Sequence, residues 1–439
     1  MHRKPQTAAP PRPLEQPGRA ALAQHYMAVR ERSRALAAPL SPEDAQAQSM
    51  PDASPAKWHL AHVTWFFETF VLERFEPGFT PFDPAFRVLF NSYYNGVGEQ
   101  FSRPQRGLVT RPDLASVWRW REQVDERIAQ LIAHTDSAEA LRLIELGLHH
   151  EQQHQELLLT DVKHLLSINP LRPAYRRHWP LVSVAATAPR WVEQPGGLVE
   201  VGHAGEGFAF DNELPRHREW LEPYALMNRL VTHGEWWEFV QDGGYDEPRW
   251  WLAAGWDWVR AHGVRAPLYW TLPAGDGPAL PTVFTLHGEV PLDRHTPVTH
   301  ISHFEADAFA RWAGATRSGW AGARLPTEAE WEAAAATLPL RGNLLDGNAL
   351  HPLPARAAGE GLLQMYGDVW EWTGSSYSAY PGYQPAEGAV GEYNGKFMIN
   401  QTVLRGGSCA TPASHIRASY RNFFPTDARW QFSGLRLAR

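Results

Sequence analysis

A short segment rich in histidine, Leu148–Leu159 (LHHEQQHQELLL), carries the side chains best suited to chemistry. His150 and His154 are four residues apart, and on a helix this spacing places the two imidazoles about 40° apart on one face. Two ring nitrogens on one face can reach the same metal ion. Glu156 lies about 240° round the helix from His150, so we expect it to hydrogen-bond a ligand or a neighbouring helix.

A second segment, Lys57–Phe67 (KWHLAHVTWFF), contains His59 and His62 three residues apart among large apolar residues. We predict that His62 is the third metal ligand and that His59 supports a ligand or lies in the core. Three neutral imidazoles without a thiolate suit Fe(II), Zn or Ni. An octahedral ferrous ion would keep three open positions, whereas tetrahedral zinc would keep one.

The residues from His150 to His154 also fit H-E-x-x-H, the zinc-protease motif in which the glutamate, here Glu151, acts as a general base. That interpretation needs a further ligand such as the H-x-x-G-x-x-H extension. The next histidine, His164, is ten residues further on. The spacing therefore disfavours a protease.

Long stretches with apolar residues at three- and four-residue steps predict the helices that must position these histidines. Facing helices of a four-helix bundle are where such metal sites are assembled. The connection from Glu76 to Arg111 is long and rich in aromatic residues, so we expect it to be ordered. The four predicted helices are Ala20–Ala38, Pro55–Phe75, Leu114–Ile132 and Ser137–Ser167.

From about Trp191 the sequence changes to short apolar runs separated by Gly, Pro, Asn and Asp. Two brief helices are predicted there by capping boxes, in which a threonine is followed three residues later by glutamate. They are Thr232–Val240 and Thr327–Ala336. We therefore predict an α+β, coil-rich second half.

The composition limits the class of protein. The 439 residues are 44% hydrophobic and 20% charged, with a net charge of −7, which is typical of a globular protein and gives no basic excess for nucleic acid. No run of 18 apolar residues predicts a membrane span, and no apolar stretch in the first twenty residues resembles a signal peptide. We expect a cytoplasmic protein. Cys409 is the single cysteine, which excludes an internal disulfide and thiolate-rich metal sites.

Many sequence blocks resemble the ergothioneine-type nonheme iron sulfoxide synthases, a family that includes a selenoneine synthase branch. SPAKWHLAHVTWFFETF, FNSYYNGVG, RPQRGL and LGLHHEQQHQELLLTDVKH resemble its N-terminal half; RLPTEAEWEAAA, GDVWEWT, YNGKFMINQTVLRGGSCAT and YRNFFPTDARWQFSGLRLAR resemble its C-terminal half. The N-terminal residues are basic and Pro-rich, and we predict a disordered tail over 1–18. The resemblance implies a DinB-like four-helix bundle over 19–180 and a C-type-lectin-like domain similar to formylglycine-generating enzymes over 190–439. The paired cysteines of those enzymes are missing here.

By this resemblance the chain is an Fe(II) enzyme that uses O2 to join the sulfur or selenium of a donor to C2 of the imidazole of hercynine, which is trimethylated histidine. The family's iron ligands fall on His62, His150 and His154. Gln153 and Asn422 match positions that hold the substrate imidazole, and an amide can donate to one ring nitrogen or accept from the other.

Four residues of the long connection are further candidates. Tyr93 and Tyr94 match a catalytic tyrosine pair in the branch that uses free cysteine, where a phenol can supply a proton and so favour C–S bond formation over simple oxidation of the thiol. Arg103 and Arg106 are candidates for binding a donor carboxylate, because a guanidinium can bind it through two parallel hydrogen bonds.

The residues that follow Asn422 bear on the identity of the donor. Relatives that use γ-glutamylcysteine carry an acidic residue and an arginine just after the asparagine, where this chain has Phe423 and Phe424. We therefore expect these phenylalanines to contact a different donor, first a cysteine-like thiol and alternatively a thio- or selenosugar. A zinc or nickel DinB-type hydrolase or transferase, and a lectin-like binding module with a structural metal, are the alternatives from other classes.

Overall fold

The computed structural model describes residues 16–177, 184, 187–205, 207–274, 279–356 and 361–439. The described residues form two compact units, one from residues 16–92 together with Gly98–Gln155, the other from Tyr93–Val97 together with the described part of Glu156–Arg439. The tail predicted over 1–18 lies outside the described residues as far as residue 15, and so do residues 178–183, which include the predicted boundary at 180, and residues 185–186.

The first unit is helical. Among the described residues, no helix is both long enough and apolar enough to cross a membrane. The helices are α1 (Gln16–Ala37), α2 (Pro42–Gln46), α3 (Ala56–Phe66), α4 (Glu73–Phe75), α5 (Phe86–Leu89), α6 (Leu114–His134) and α7 (Ala138–Ile168), the last continuing into the second unit.

Helix α6 forms as its pattern predicts. Asp113 caps its start by accepting a hydrogen bond of 2.7 Å from the amide of Ser116, and this satisfies one of the unpaired amides at a helix N-terminus. Val117, Val124 and Ile128 are seven and four residues apart, which places them on one face of the helix, and all three are fully buried, so one apolar stripe faces the other helices. The predicted helical bundle is confirmed, with α1, α6 and α7 close to the predicted bounds, whereas α3 begins close to its predicted start but ends at Phe66.

The predicted helix Pro55–Phe75 is interrupted. After α3 the chain forms a π-helical stretch over Phe67–Leu72 before α4, a form that is rare and often occurs at functional sites. Gly147 of α7 lies against this stretch: a Cβ there would be 2.6 Å from Cε1 of Phe67. The close approach therefore depends on glycine, and hydrophobic periodicity does not reveal it.

The long connection between α4 and α6 is ordered, as its aromatic residues predict. It contains α5 and a 3₁₀ turn over Arg103–Leu108. Phe86 and Phe90 pack against Trp120 of α6, with ring centroids 4.8 and 5.6 Å apart. These contacts bury the base of the connection against the bundle.

The described residues of the second unit form four small sheets. β1 pairs with β4, β2 with β3, and β5, β6 and β7 form a third sheet, all antiparallel; the fourth has the order β10-β9-β8-β11, with β11 parallel to β8. The strands are β1 (Trp191–Gln194), β2 (Gly197–Val201), β3 (His217–Leu221), β4 (Tyr224–Met227), β5 (Trp270–Thr271), β6 (Thr282–Thr285), β7 (Gly288–Pro291), β8 (Trp370–Ser376), β9 (Gln401–Arg405), β10 (Asn422–Pro425) and β11 (Ser433–Gly434).

Helices α8 (His233–Gln241), α9 (Ala253–His262), α10 (His303–Thr316) and α11 (Glu328–Ala335) accompany these sheets. Both predicted capping boxes are present, at Thr232 for α8 and at Thr327 for α11. Much of the remainder is coil, as predicted. The core contains several buried tryptophans, namely Trp236, Trp331, Trp370 and Trp372. It also contains buried ion pairs such as that between Arg436 and Glu371, 3.0 Å long.

Candidate metal centre

His62 on α3 and His150 and His154 on α7 come together in the first unit, as the sequence predicts. Each offers a ring nitrogen within 4.8 Å of those of the other two, and all three side chains are buried. The ring centroids are 5.0 Å apart for His62 and His150, 4.8 Å for His62 and His154, and 4.7 Å for His150 and His154. Three nitrogen donors at this separation can converge on one metal ion.

The hydrogen bonds at Nδ1 orient two of the rings. Nδ1 of His62 lies 2.6 Å from the carbonyl oxygen of Phe90, and because a carbonyl only accepts, Nδ1 must donate and Nε2 carries the lone pair. Nδ1 of His154 lies 2.8 Å from Nδ1 of His59. Metal-binding histidines commonly engage the second ring nitrogen in this way. The arrangement fits a metal ion bound at Nε2 and gives His59 the supporting position predicted for it.

The electrostatics of the centre keep the imidazoles neutral. Burial lowers the pKa of His150 to about 3, and burial and then the neighbouring His150 lower the pKa values of His62 and His154 well below the ordinary value. Neutral imidazole is the form that binds metals. At neutral pH the three rings therefore require no deprotonation before they bind a cation.

A stacked column extends from the centre through His62. The ring of His62 lies between Trp58, at 4.6 Å and 11°, and Trp65, at 5.4 Å and 16°. The guanidinium carbon of Arg106 is 3.4 Å from the centre of the Trp58 ring, a close cation–π contact. Arg106 also donates to Ser54 at 2.9 Å and is 4% exposed. The sequence predicts a donor-binding Arg106 but gives no sign of this column.

The carboxylate of Glu151, the glutamate of the H-E-x-x-H motif, is held by ion pairs and is not placed to act as a general base. Its carboxylate accepts hydrogen bonds from Arg30 at 2.8 Å and from Ser33 at 2.6 Å, and it also pairs with Arg121. Although burial would raise its pKa, the two guanidiniums lower it to about 2. A carboxylate held in this way is a structural ion, which further disfavours the protease interpretation.

The other candidates of the first unit lie beside these residues in the chain. Gln153 is a half-buried residue of α7, next to His154. Arg103 begins the 3₁₀ turn that also carries Arg106, and its guanidinium donates to the carbonyl of Asp52.

The tyrosine pair belongs to the second unit. Tyr93 is half-buried, and its ring packs edge-on against Phe397 with centroids 4.9 Å apart. Tyr94 is buried, and burial raises the pKa of its phenol well above the ordinary value. Tyr94 is therefore a phenol, with its proton in place, at any physiological pH.

Asn422, Phe423 and Phe424 form β10 of the second unit, and all three are half-buried. Phe423 stacks on Tyr377 with centroids 4.0 Å apart, whereas Phe424 packs edge-on against Trp430 at 5.9 Å. Neighbouring residues of a strand point to opposite faces, so the two predicted donor-binding phenylalanines line different surfaces.

The partners of two buried residues of α7 cannot be predicted from the sequence. Glu156 accepts hydrogen bonds from Trp370 at 2.7 Å, Ser408 at 2.5 Å and Thr411 at 2.8 Å; the expectation of a ligand or a neighbouring helix is wrong, because its partners lie in a strand and a loop. Lys163 lies 2.6 Å from Nε2 of His300. Their partners are more than 130 residues away in sequence.

Comparison with known proteins agrees with this two-part architecture. The DinB superfamily matches residues 25–158, and the Sulfatase-modifying factor enzyme 1-like domain matches residues 181–352 and 348–439. The hercynine oxygenase of Mycolicibacterium thermoresistibile is 34% identical over 450 residues, covering 96% of this chain and 95% of the relative. That of Mycobacterium tuberculosis is 32% identical, covering 88% and 91%. The formylglycine-generating enzyme of Streptomyces coelicolor is 32% identical, covering 49% of this chain and 77% of the relative.

A DinB-type helical domain with three clustered histidines, followed by a sulfatase-modifying-factor-type domain, defines a class of two-domain proteins. Within that class, the near full-length similarity to two hercynine oxygenases decides the assignment. The chain belongs to the ergothioneine-type family of hercynine oxygenases.

Proposed function

We propose that this chain is an Fe(II)- and O2-dependent synthase that joins the sulfur or selenium of a small donor to imidazole C2 of hercynine. The observation that carries the proposal is the convergence of His62, His150 and His154, with the rings of His62 and His154 oriented for binding through Nε2. The names of the full-length relatives support an oxidative reaction with hercynine as substrate. Ferrous iron bound by these imidazoles would supply the one-electron chemistry that the reduction of O2 requires.

With a thiol donor the reaction balances without an external reductant. Hercynine loses the hydrogen at C2 and the thiol loses its S–H hydrogen, while a C–S bond forms. One oxygen atom of O2 becomes the sulfoxide oxygen, and the other leaves as water with the two hydrogens. The substrates supply all four electrons.

The proposed roles of the side chains follow from their chemistry. Gln153 and Asn422 hold the imidazole of hercynine through their amides. Tyr93 or Tyr94 supplies a proton during the reduction of O2, and the raised pKa of Tyr94 supports this role because the phenol keeps its proton until it is needed.

For the donor we propose a cysteine-like thiol first. Its carboxylate would be bound by Arg103 and Arg106, whose guanidiniums suit a carboxylate. The alternative donor is a selenosugar. It is favoured by the half-buried aromatic surface of Phe423, Phe397 and Tyr93, which offers apolar rings rather than charge.

The decisive experiment loads the protein with Fe(II) without oxygen and then adds air, hercynine and one donor at a time: cysteine, γ-glutamylcysteine or a selenosugar. We expect O2 consumption and, with a thiol donor, a product whose mass equals that of hercynine plus the donor, less two hydrogens and plus one oxygen. His154→Ala should abolish both iron binding and product. His164→Ala, ten residues further along the same helix, should retain both.

Other outcomes would contradict the proposal. Zinc or nickel as the native metal, with no O2 consumption, would favour a DinB-type hydrolase or transferase. Full activity of His154→Ala would reject the metal centre. Coupling of the selenosugar alone would reject the first-ranked donor but retain the reaction class.

A further inference from the structure

A short segment of the second unit, Ala389–Phe397, holds the loop that carries the tyrosine pair. It consists of two 3₁₀ turns, Ala389–Glu392 and Gly395–Phe397. The loop Tyr93–Val97 lies almost 300 residues earlier in sequence. We refer to Ala389–Phe397 as the tyrosine clamp.

Glu392 binds the backbone of the loop with both carboxylate oxygens. Oε2 accepts a hydrogen bond of 2.9 Å from the amide of Asn95, and Oε1 accepts one of 2.6 Å from the amide of Gly96. A carboxylate that accepts from two consecutive amides fixes their orientation, and such charge-assisted bonds are stronger than neutral ones.

Lys396 completes the grip. Its ammonium donates to the carbonyl oxygen of Tyr93 and to Oε2 of Glu392, the latter at 3.2 Å. The side chains of Glu392 and Lys396 are 26% and 31% exposed, so neither interaction is fully screened by water. One ion pair thus binds the first peptide of the loop through its carbonyl and the third and fourth residues through their amides.

The contact between Glu392 and the loop requires the absence of a side chain at Gly96. A Cβ at Gly96 would lie 2.7 Å from Oε1 of Glu392 and 3.3 Å from Cβ of Ala389. A side chain there would displace the carboxylate from the amides. The glycine and the glutamate therefore form one contact surface.

The clamp is itself anchored in the second unit. Nδ2 of Asn394 donates to Oδ1 of Asp211 at 2.6 Å, and the phenol of Tyr383 donates to Oδ2 of Asp211 at 3.2 Å. Phe397 lies between Tyr93, at 4.9 Å, and Phe423, at 5.8 Å. The clamp therefore connects the loop to the strand that bears Phe423.

We infer that Glu392 and Lys396 are positioning residues that set the place of Tyr93 and Tyr94, and so the fraction of turnovers in which the donor is coupled to hercynine rather than merely oxidised. Neither residue is assigned contact with substrate. The catalytic part of this inference rests on the proposed function, whereas the grip on the loop does not.

The first measurement is independent of activity. Hydrogen exchange of the peptide spanning residues 92–98 is followed in the iron-loaded protein without substrates. Glu392→Ala and Lys396→Met should accelerate exchange at Asn95 and Gly96 on the order of tenfold, since each loses a charge-assisted hydrogen bond. Gly96→Ala should do the same with the ion pair intact. Asp307→Asn, which breaks an i,i+4 pair with Arg311 in α10, is the matched control and should change nothing there.

The second measurement is the ratio of coupled product to oxidised donor. We expect Lys396→Met and Glu392→Ala to lower it about tenfold, with iron content unchanged and the KM for hercynine within about twofold. Lys396→Arg keeps a donor for the Tyr93 carbonyl and should restore most of the ratio. A merely structural defect would lower iron content and total turnover together and leave the ratio unchanged.

The outcomes separate the two proposals. Unchanged exchange in Glu392→Ala and Lys396→Met overturns the clamp. Faster exchange with an unchanged product ratio overturns the positioning role. If the wild-type protein forms no product from hercynine with any donor, the proposed function fails and the positioning role with it, while accelerated exchange would still establish the grip on the loop.

Discussion

His59 and His154 are joined through their Nδ1 atoms, 2.8 Å apart in the buried interior of the helical unit. His59 thereby fixes the ring that we propose as a metal ligand. His59→Phe should keep the packing volume but remove this bond, and metal affinity should fall about 10- to 100-fold, as it does when partners of ligating histidines are removed. Chelator competition at fixed pH measures the loss.

Two variants control this prediction. His59→Gln retains a hydrogen-bonding group and should lose less affinity than His59→Phe. His134→Phe replaces an exposed histidine at the end of α6 and should lose none. Wild-type metal affinity in His59→Phe would show that His154 needs no partner.

The buried carboxylate of Glu151 should be worth more to stability than to chemistry. Because Arg30 and Arg121 both pair with it away from water, Glu151→Gln removes a counter-charge from two buried guanidiniums, of which Arg30 keeps its 2.6 Å pair with Asp125. We expect the free energy of unfolding to fall by about 3–5 kcal/mol, measured by urea denaturation. Glu139→Gln, which breaks the exposed pair with Arg74, should cost no more than about 1 kcal/mol. Equal losses in the two variants would contradict the structural role of Glu151.

The helical bundle and its histidines could be predicted because both depend on local spacing. The i,i+4 relation places His150 and His154 on one face whatever surrounds them, and capping boxes such as that at Thr232 need only four residues. Placing His62 beside His150 and His154 required a prediction about the contact between two helices. It succeeded because the helices of a bundle face each other, and a histidine on an apolar helix then points towards the shared core.

The remaining features depend on contacts far apart in sequence. Glu392 reaches the amide of Asn95 across 297 positions, and Glu156 reaches Ser408 across 252. No periodicity encodes such pairs. The close approach of Phe67, the first residue of the π-helical stretch, to α7 depends likewise on a glycine of that other helix. Arg106 was found as a candidate, but its stacking on Trp58 follows from the fold of the long connection.

Arg106 provides a test of the donor's chemistry. Arg106→Lys keeps the charge but loses the planar group that lies on Trp58 and can bind a carboxylate through two bonds. For a cysteine-like donor, the KM should rise about tenfold, the value of one charge-assisted hydrogen bond, with the KM for hercynine unchanged. Steady-state kinetics with each substrate varied in turn measures both. Ser54→Ala, which removes only the 2.9 Å contact, should have a smaller effect. An unchanged donor KM in Arg106→Lys would reject carboxylate binding by this residue.

Lys163 should make the stability of the protein depend on pH in the alkaline range. Burial lowers the pKa of its ammonium from 10.5 to about 7, beside His300 at 2.6 Å. Between these two pH values the unfolded chain holds a proton on Lys163 that the folded chain has released. The unfolded state binds more protons there, so the free energy of unfolding should rise with pH, by at most about 1.4 kcal/mol per pH unit from this group.

The comparison with Lys163→Met isolates that contribution, because all other titrating groups are shared by the two proteins. At pH 7 folding of the wild-type protein must either release the proton of Lys163 or bury its charge, and this lowers the free energy of unfolding; the methionine variant has no such loss. As the pH approaches 10 the loss disappears, so the free energy of unfolding of the wild type should rise steadily relative to that of Lys163→Met. Urea denaturation at intervals between pH 7 and 10 measures the trend. Parallel curves would mean that Lys163 keeps its proton in the folded state, and that its bond to His300 is then made by an ammonium whose charge the surrounding core tolerates.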